Sequence, residues 1–221
     1  TKTVSKTDTL GRYKVQFTVK GKDVVNPSST PKDVYVVVVL DKSGSMSGNK
    51  WTNAVAGAKT FATTLLSKIS NAKIALVTFS GNDNDEETCE RVWVDDGFWG
   101  GHFETKCSVT DPNNDATIVR GFENKNLNSI NFGNANGGTN LGEGLNKAID
   151  LFNNQDIPND AFKYVVVLGD GEPTFYTDSD GKTAGPGSEM TTETKKYATD
   201  KASALKTSGV EIFSIGYSVA V

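Results

Sequence analysis

The sequence has little cysteine and histidine, and it lacks a long apolar run. Its two cysteines, Cys89 and Cys107, are too few for a disulfide framework, and with a single histidine, His102, they do not make up a zinc site. The longest apolar run, residues 34–40, has the length of a strand, whereas a membrane-spanning helix needs roughly 20 residues. These absences exclude a disulfide-rich scaffold, a zinc domain and a membrane-spanning helix.

Basic residues are also fewer than acidic ones. The 221 residues include 27 acidic and 23 basic side chains, which gives a net charge of −4 and a pI near 5.1. Their order contains no basic stripe of the kind that neutralises phosphates or binds an anionic membrane surface. Because 36% of the residues are apolar, the composition is that of a globular protein. We expect a folded chain with no nucleic-acid partner and no membrane insertion.

The first part of the chain differs in pattern from the rest. Residues 12–20 alternate between polar and apolar, which is typical of a half-buried strand, but no hairpin partner is evident. Residues 22–32 contain two prolines, two serines, a threonine and an asparagine, which indicates a linker or corner. We therefore place an N-terminal β segment and linker in residues 1–32 and the main domain in residues 33–221.

Buried strands alternate with amphipathic helices in the main domain. Residues 34–40 are apolar and mostly β-branched, as expected of a central parallel strand covered on both faces. Helical spacing occurs over residues 51–69, 141–153 and 193–207, and further apolar strands over 73–79, 164–168 and 210–215. The alternation predicts a doubly wound α/β domain with a mostly parallel central sheet flanked by helices.

A long segment interrupts this rhythm. Residues 90–136 are rich in glycine, asparagine, aspartate and aromatic side chains, and the segment is too long for a plain connection. We interpret residues 91–94 as an edge strand and the remainder as an inserted arm that protrudes from the core, over about residues 88–136. The cysteines have two interpretations: a disulfide between Cys89 and Cys107 within the arm, or two free thiols in a reducing compartment.

The aromatic residues of the arm also have two interpretations. Trp93, Phe98 and Trp99, with Phe103, form either a ligand-binding rim that stacks on a sugar or peptide or the small core of the arm itself. His102 has no evident cysteine or acidic partner at ligand spacing, and we expect it at the surface.

Three oxygen-bearing side chains follow the first strand of the main domain. Asp41, Ser43 and Ser45 stand at alternate positions directly before a helix. Ligands of doubly wound sheets bind outside the carboxyl ends of the strands, so these residues lie where a site is expected. One carboxylate and two hydroxyls form a hard oxygen set of low charge that suits Mg²⁺. Turn formation and helix capping are the alternative role of the same residues.

Two later segments add oxygens at the same edge of the sheet. Thr139 follows two glycines directly before the helix over residues 141–153, and Asp170 follows the strand over residues 164–168. Three loops therefore converge, and they predict one metal site. Catalytic alternatives are weak, because the sequence has no Walker loop and no nucleophile elbow. Metal-assisted hydrolysis at Asp41 would lack an evident general base.

In these motifs the chain resembles von Willebrand factor type A domains, from about residue 33 to its end. In that family Asp-x-Ser-x-Ser, a threonine in a second loop and an aspartate in a third form the metal-ion-dependent adhesion site. The resemblance implies that Ser43, Ser45 and Thr139 coordinate Mg²⁺, directly or through water. It also implies that Asp41 and Asp170 hold that shell, and that a carboxylate of the partner completes it.

The resemblance implies Mg²⁺ as the cofactor, with Mn²⁺ as a substitute. Ca²⁺ is less favoured. Residues 178–181 resemble the start of a calcium-binding loop. They lack the flanking helices of such a loop, and the acidic residue at the twelfth position therefore lacks the context of a calcium ligand. We expect a solvated loop there.

The N-terminal strand and the arm narrow the resemblance to Gram-positive surface and pilus-tip adhesins. It implies a secreted, non-enzymatic protein of the bacterial cell wall or pilus, with a role in virulence, that binds a host-surface or matrix protein. Residues 1–32 would belong to a stalk β-domain. Family members usually continue with another helix and strand beyond the position of Tyr217, so we expect the C-terminal part of the family fold to be absent here. The alternative function is a structural or assembly module that docks to other subunits of a surface fibre, in which the metal stabilises the loops.

Overall fold

A computed structural model describes most of the chain. The described residues are 2–6, 13–17, 31–82, 87–97, 100–109 and 115–217. The chain divides into two units, Thr1–Pro31 and Lys32–Val221. In the described part of the chain, no helix combines the length and the apolar character needed to cross a membrane.

The first unit contains a two-stranded hairpin. Strand β1 (Lys2–Lys6) pairs antiparallel with β2 (Tyr13–Phe17), with Val4 opposite Val15. The strand predicted over residues 12–20 therefore has a hairpin partner, which the sequence pattern does not make evident. The sequence signal for β1 is weak because Val4 is the only apolar residue among its five.

The second unit is an α/β structure built on a five-stranded sheet. Its strands are β3 (Val34–Asp41), β4 (Ala72–Phe79), β5 (Glu87–Asp95), β6 (Gly101–Val109), β7 (Ala116–Glu123), β8 (Phe162–Gly169), β9 (Tyr176–Thr177), β10 (Thr183–Ala184) and β11 (Glu211–Gly216). Its helices are α1 (Asn49–Lys68), α2 (Leu141–Asn153) and α3 (Thr192–Thr207). The main sheet has the order β11, β8, β3, β4, β7, in which only β7 is antiparallel to its neighbour.

Helices cover both faces of this sheet. All residues of β3 are buried, and their side chains alternate between two apolar clusters. Val36, Val38 and Leu40 belong to the cluster that contains Ala54, Ala58 and Ala62 of α1. Val37 and Val39 belong to the cluster that contains Leu145 of α2 and Leu205 of α3. The predicted doubly wound, mostly parallel architecture is confirmed.

The arm differs from its prediction at two points. Strands β5 and β6 pair with each other in a separate hairpin, so the prediction of a sheet-edge strand over residues 91–94 is wrong. The edges of the main sheet are instead β11 and β7, and β7 lies within the range assigned to the protruding arm. Its pattern is uneven because Ala116 alone is fully buried and the pairing with β4 contains two register shifts.

Candidate metal site

Backbone hydrogen bonds join three loops at the carboxyl edge of the sheet. In the loop after β3, the Gly44 N–H donates to the Gly137 carbonyl of the loop before α2, at 2.7 Å. In the loop after β8, the Thr174 N–H donates to the Thr139 carbonyl at 2.8 Å. The three segments that the sequence singles out therefore form one structural unit.

A chain of side-chain hydrogen bonds connects the first loop to the third. The Ser43 N–H donates to Asp41 Oδ1 at 2.8 Å, and the hydroxyl oxygens of Ser43 and Ser45 lie 3.0 Å apart. The Ser45 hydroxyl donates to Asp170 Oδ1 at 2.7 Å. The arrangement orders both hydroxyls between the two carboxylates.

Thr139 brings the second loop to the same place. A methyl group at Gly171 would lie 3.9 Å from the hydroxyl oxygen of Ser45 and 3.9 Å from that of Thr139, so both hydroxyls border the space next to Gly171. The Thr139 N–H donates to the Thr174 hydroxyl oxygen at 3.0 Å, which fixes the backbone of this loop. The structure thus gathers all five predicted residues at one edge, and metal ligation by them stays a prediction.

Negative charge in this cluster is energetically unfavourable because its carboxylates are buried. Asp41 is 1% exposed, and loss of solvation raises its pKa, while hydrogen bonds from Ser43 lower it. The negative charge of Asp170 raises the Asp41 pKa as well. Two carboxylates held near each other in a poorly solvated place favour a nearby cation.

The donor set fits a hard divalent cation. Among the described residues, no group of three or more His, Cys, Asp or Glu side chains comes together to hold a metal ion. The mixed set of two carboxylates and three hydroxyls is thus the candidate, and hydroxyl and carboxylate oxygens are ligands of the kind that suits Mg²⁺. Asp41, Ser43, Ser45, Thr139 and Asp170 are the residues that would hold it.

Lys50 is a member of the site that sequence reasoning missed. Its ammonium group bonds to Asp170 Oδ2 from the first turn of α1. The Asp170 side chain is 2% exposed and the Lys50 side chain 38% exposed. The two residues are 120 positions apart in the chain, so no local pattern predicts the pair.

A buried polar network beneath the second loop was also missed. Asn140 caps α2 by accepting the Glu143 N–H at 3.1 Å and donates from Nδ2 to Asp115 Oδ2 at 2.8 Å. The Tyr197 hydroxyl donates to Glu143 Oε2 at 2.9 Å. Burial raises the pKa of Tyr197, and the Glu143 carboxylate raises it further. The network anchors Asn140, the residue that follows Thr139, to Asp115 directly before β7 and, through Glu143, to Tyr197 of α3.

A cleft opens beside the site hydroxyls. Its walls include Gly137, Gly138 and Gly187, and the exposed carboxylates of Glu172 and Glu189 also line it. Glycine walls let an extended peptide approach closely. The cleft therefore offers access to Ser43, Ser45 and Thr139 from outside.

The β5–β6 hairpin carries an exposed aromatic pair. Trp93 and Phe103 are each 54% exposed, with ring centroids 4.9 Å apart, and the Arg91 guanidinium lies 4.8 Å from the Phe103 ring centroid. Phe98 and Trp99 lie outside the described residues. A ligand-binding role for Trp93, Phe98 and Trp99 stays a prediction.

The other predictions in the arm have mixed outcomes. Cys89 stands opposite Cys107 in the β5–β6 register, but both side chains lie outside the described part, so the disulfide stays a prediction. His102 is exposed, yet the expectation that it lacks an acidic partner is wrong: Asp96 lies at 2.7 Å and Glu104 at 3.2 Å. The Asp96 and Glu104 contacts arise from a hairpin that the sequence pattern did not reveal.

The run over residues 178–181 is a tight turn between β9 and β10. Asp178 Oδ1 accepts the N–H groups of Asp180 and Lys182, both at 2.9 Å. This oxygen therefore closes the turn, as aspartate commonly does.

Comparison with known proteins gives a family match. The family model described as "Cobalamin biosynthesis protein CobT VWA domain" matches residues 25–179. No curated protein sequence matches the chain.

The chain is similar to several solved structures. The open conformation of the pilus adhesin SpaC from Lactobacillus rhamnosus GG aligns with 97% of this chain and 27% of its own, at 22% identity and a TM-score of 0.52. A second SpaC structure aligns with 97% of this chain and 28% of its own, at 20% identity and a TM-score of 0.50. The adhesive tip pilin GBS104 from Group B Streptococcus agalactiae aligns with 66% of this chain and 47% of its own, at 18% identity and a TM-score of 0.40. The chain spans about a quarter of the length of SpaC.

Proposed function

The chain belongs to the VWA domain family, and from this premise we propose that it is an adhesion module that binds a protein ligand through a metal ion. The proposed ligand is an extracellular host or matrix protein, and the proposed group on it is an Asp or Glu carboxylate. The match over residues 25–179 includes all five candidate metal ligands.

One observation carries this proposal. Hydroxyls from two loops, Ser45 and Thr139, border the space next to Gly171 in a third loop, where Asp170 accepts the Ser45 hydroxyl. A bound Mg²⁺ would supply an electrophilic centre for an incoming carboxylate oxygen. Neutral hydroxyl ligands leave more of the cation's charge available to that carboxylate than anionic ligands would.

The side chains support binding and not catalysis. Hydroxyls and carboxylates make up the candidate site, and Ser43, Ser45 and Asp170 already bond to one another. The single histidine of the sequence, His102, lies on the β5–β6 hairpin, where Asp96 and Glu104 contact it. The histidine therefore belongs to the hairpin, and the two site carboxylates are already engaged, Asp41 by Ser43 and Asp170 by Ser45 and Lys50.

We propose a location on a Gram-positive cell wall or pilus. The fold shared with the pilus adhesin SpaC supports this location, and this chain corresponds to about a quarter of that protein. A site that binds a carboxylate of another protein is also consistent with a secreted, non-enzymatic module at the cell surface.

Calorimetric titration with Mg²⁺ tests the metal site. We expect about one equivalent to bind the wild type and none to bind a Ser43→Ala, Ser45→Ala double variant, because both hydroxyls are proposed ligands. A matched control is Ser67→Ala, Ser203→Ala, whose hydroxyls donate to backbone carbonyls within α1 and α3. Equal binding by all three proteins would contradict the proposed site.

Binding to immobilised matrix proteins in Mg²⁺ and in EDTA tests adhesion. The proposal predicts binding that EDTA abolishes, while the melting temperature changes little. A large fall in melting temperature with EDTA and no matrix ligand would instead favour an assembly module in which the metal stabilises the loops.

A further inference from the structure

Lys50 forms an ion pair inside the candidate metal site. Its ammonium bonds to Asp170 Oδ2, while Asp170 Oδ1 accepts the Ser45 hydroxyl. Both oxygens of a carboxylate that is 2% exposed are therefore engaged. The ammonium is the positive partner of that carboxylate, and the pair joins the start of α1 to the loop after β8.

Local helix energetics disfavour a lysine at this position. The N-terminal end of a helix carries a partial positive charge, which repels a cation in the first turn. Within α1, whose residues are all described, the first turn has no acidic side chain, and the Gly48 cap adds no side-chain hydrogen bond. The ion pair with Asp170 supplies the favourable contact that the helix does not.

A divalent cation and the Lys50 ammonium compete for the same negative charge. Without a metal, the ammonium offsets the cost of burying the Asp170 carboxylate and its repulsion of Asp41. When a cation binds between the loops, the ammonium remains a nearby positive charge that repels it. Lys50 therefore stabilises one state of the site and destabilises the other.

We propose that Lys50 is a tethered counter-cation of Asp170 that stabilises the metal-free protein and lowers the affinity of the site for Mg²⁺ and Mn²⁺. This inference rests on the proposed function, because it presumes a metal site at Asp170. It assigns Lys50 as a residue that sets the cation concentration at which the site loads.

Removing the charge of Lys50 has two effects of opposite sign. Lys50→Gln is expected to lower the melting temperature in EDTA and to tighten Mg²⁺ and Mn²⁺ binding roughly two- to fivefold, the scale of an ion pair whose cation is partly exposed to solvent. Lys50→Arg keeps the charge and is expected to lie closer to the wild type in both measurements. A purely structural lysine would lower stability without tightening metal binding.

Lys68→Gln is the matched control. It removes the same charge from the same helix, about 27 Å along the axis from Lys50, which exceeds the screening length of about 8 Å at physiological salt. It is expected to leave metal affinity unchanged.

The outcomes separate this inference from the proposed function. Unchanged or weaker cation binding by Lys50→Gln, with a wild type that binds, would overturn the role of Lys50 alone. If the wild type, Lys50→Gln and Lys68→Gln all fail to bind either cation, the metal site and this inference fail together. Binding by Lys50→Gln where the wild type binds weakly would support both.

Discussion

At the scale of single residues, the backbone approaches the Asp41 side chain closely. A Cβ atom built on Gly169 would lie 2.8 Å from Asp41 Oδ2 and 3.0 Å from Asp41 Cβ. Asp41 is buried, so it has little room to move away. Glycine at position 169 is therefore what allows a carboxylate to occupy the end of the central strand.

This contact predicts a specific cost for a small substitution. Gly169→Ala is expected to destabilise the protein by about 1–3 kcal/mol, as overpacked sites do. The matched variant Gly171→Ala places its Cβ 3.9 Å from the nearest atoms and is expected to change stability much less. Urea unfolding of both variants in EDTA measures the difference, and equal stabilities would contradict the observed packing.

The contacts of His102 predict that the stability of the arm depends on pH. Hydrogen bonds with Asp96, which has the larger effect, and with Glu104 raise the pKa of His102. Since the folded pKa lies above the unfolded value, the stabilisation is complete below the unfolded pKa and is lost as the pH rises through the folded pKa.

Proton NMR follows this titration directly because the sequence contains one histidine. The midpoint is expected above that of the same residue in urea, and Asp96→Asn is expected to lower it more than Glu104→Gln does. A folded midpoint at or below the urea value would contradict the two hydrogen bonds.

At the scale of elements, the segment after β7 is part of the core. Arg120 of β7 donates to the carbonyls of Asn126 at 2.7 Å and Lys125 at 2.6 Å. Leu127 is fully buried in the cluster beneath α1. The sequence predicts that this segment protrudes, yet its Leu127 and Phe132 are buried in that cluster.

Leu127→Ala tests this placement. Loss of a fully buried leucine is expected to cost about 2–5 kcal/mol. Leu65→Ala in α1 is the comparison, because Leu65 is only partly buried against the same cluster and is expected to cost less. Denaturant unfolding gives both values, and a near-neutral Leu127→Ala would mean that the segment does not pack on the core.

The sequence predicts some elements well for a physical reason. Helix α2 begins and ends where the apolar spacing does, because one face of an amphipathic helix is buried. The continuous apolar run coincides with β3, because that strand is covered on both faces. The sequence does not predict strand β7, because this strand lies at an edge of the sheet and is mostly half-exposed. It does not predict the pair of Lys50 and Asp170 either, because only tertiary structure brings the two residues together.

At the scale of the whole domain, the sheet topology places the site. Strand β3 lies between β4 and β8, with α1 on one face of the sheet and α2 and α3 on the other. Doubly wound sheets open a crevice at such a switch point, outside the carboxyl ends of the strands. The loops that carry Asp41, Thr139 and Asp170 meet there.

The central claim is that these loops hold a divalent cation. Anomalous diffraction from a crystal soaked in MnCl₂ tests it most directly, because Mn²⁺ is expected to take the place of Mg²⁺. The account predicts one strong anomalous peak in contact with the hydroxyls of Ser43, Ser45 and Thr139. A fully soaked crystal with no peak there, or with its only peak at the turn over residues 178–181, would contradict it.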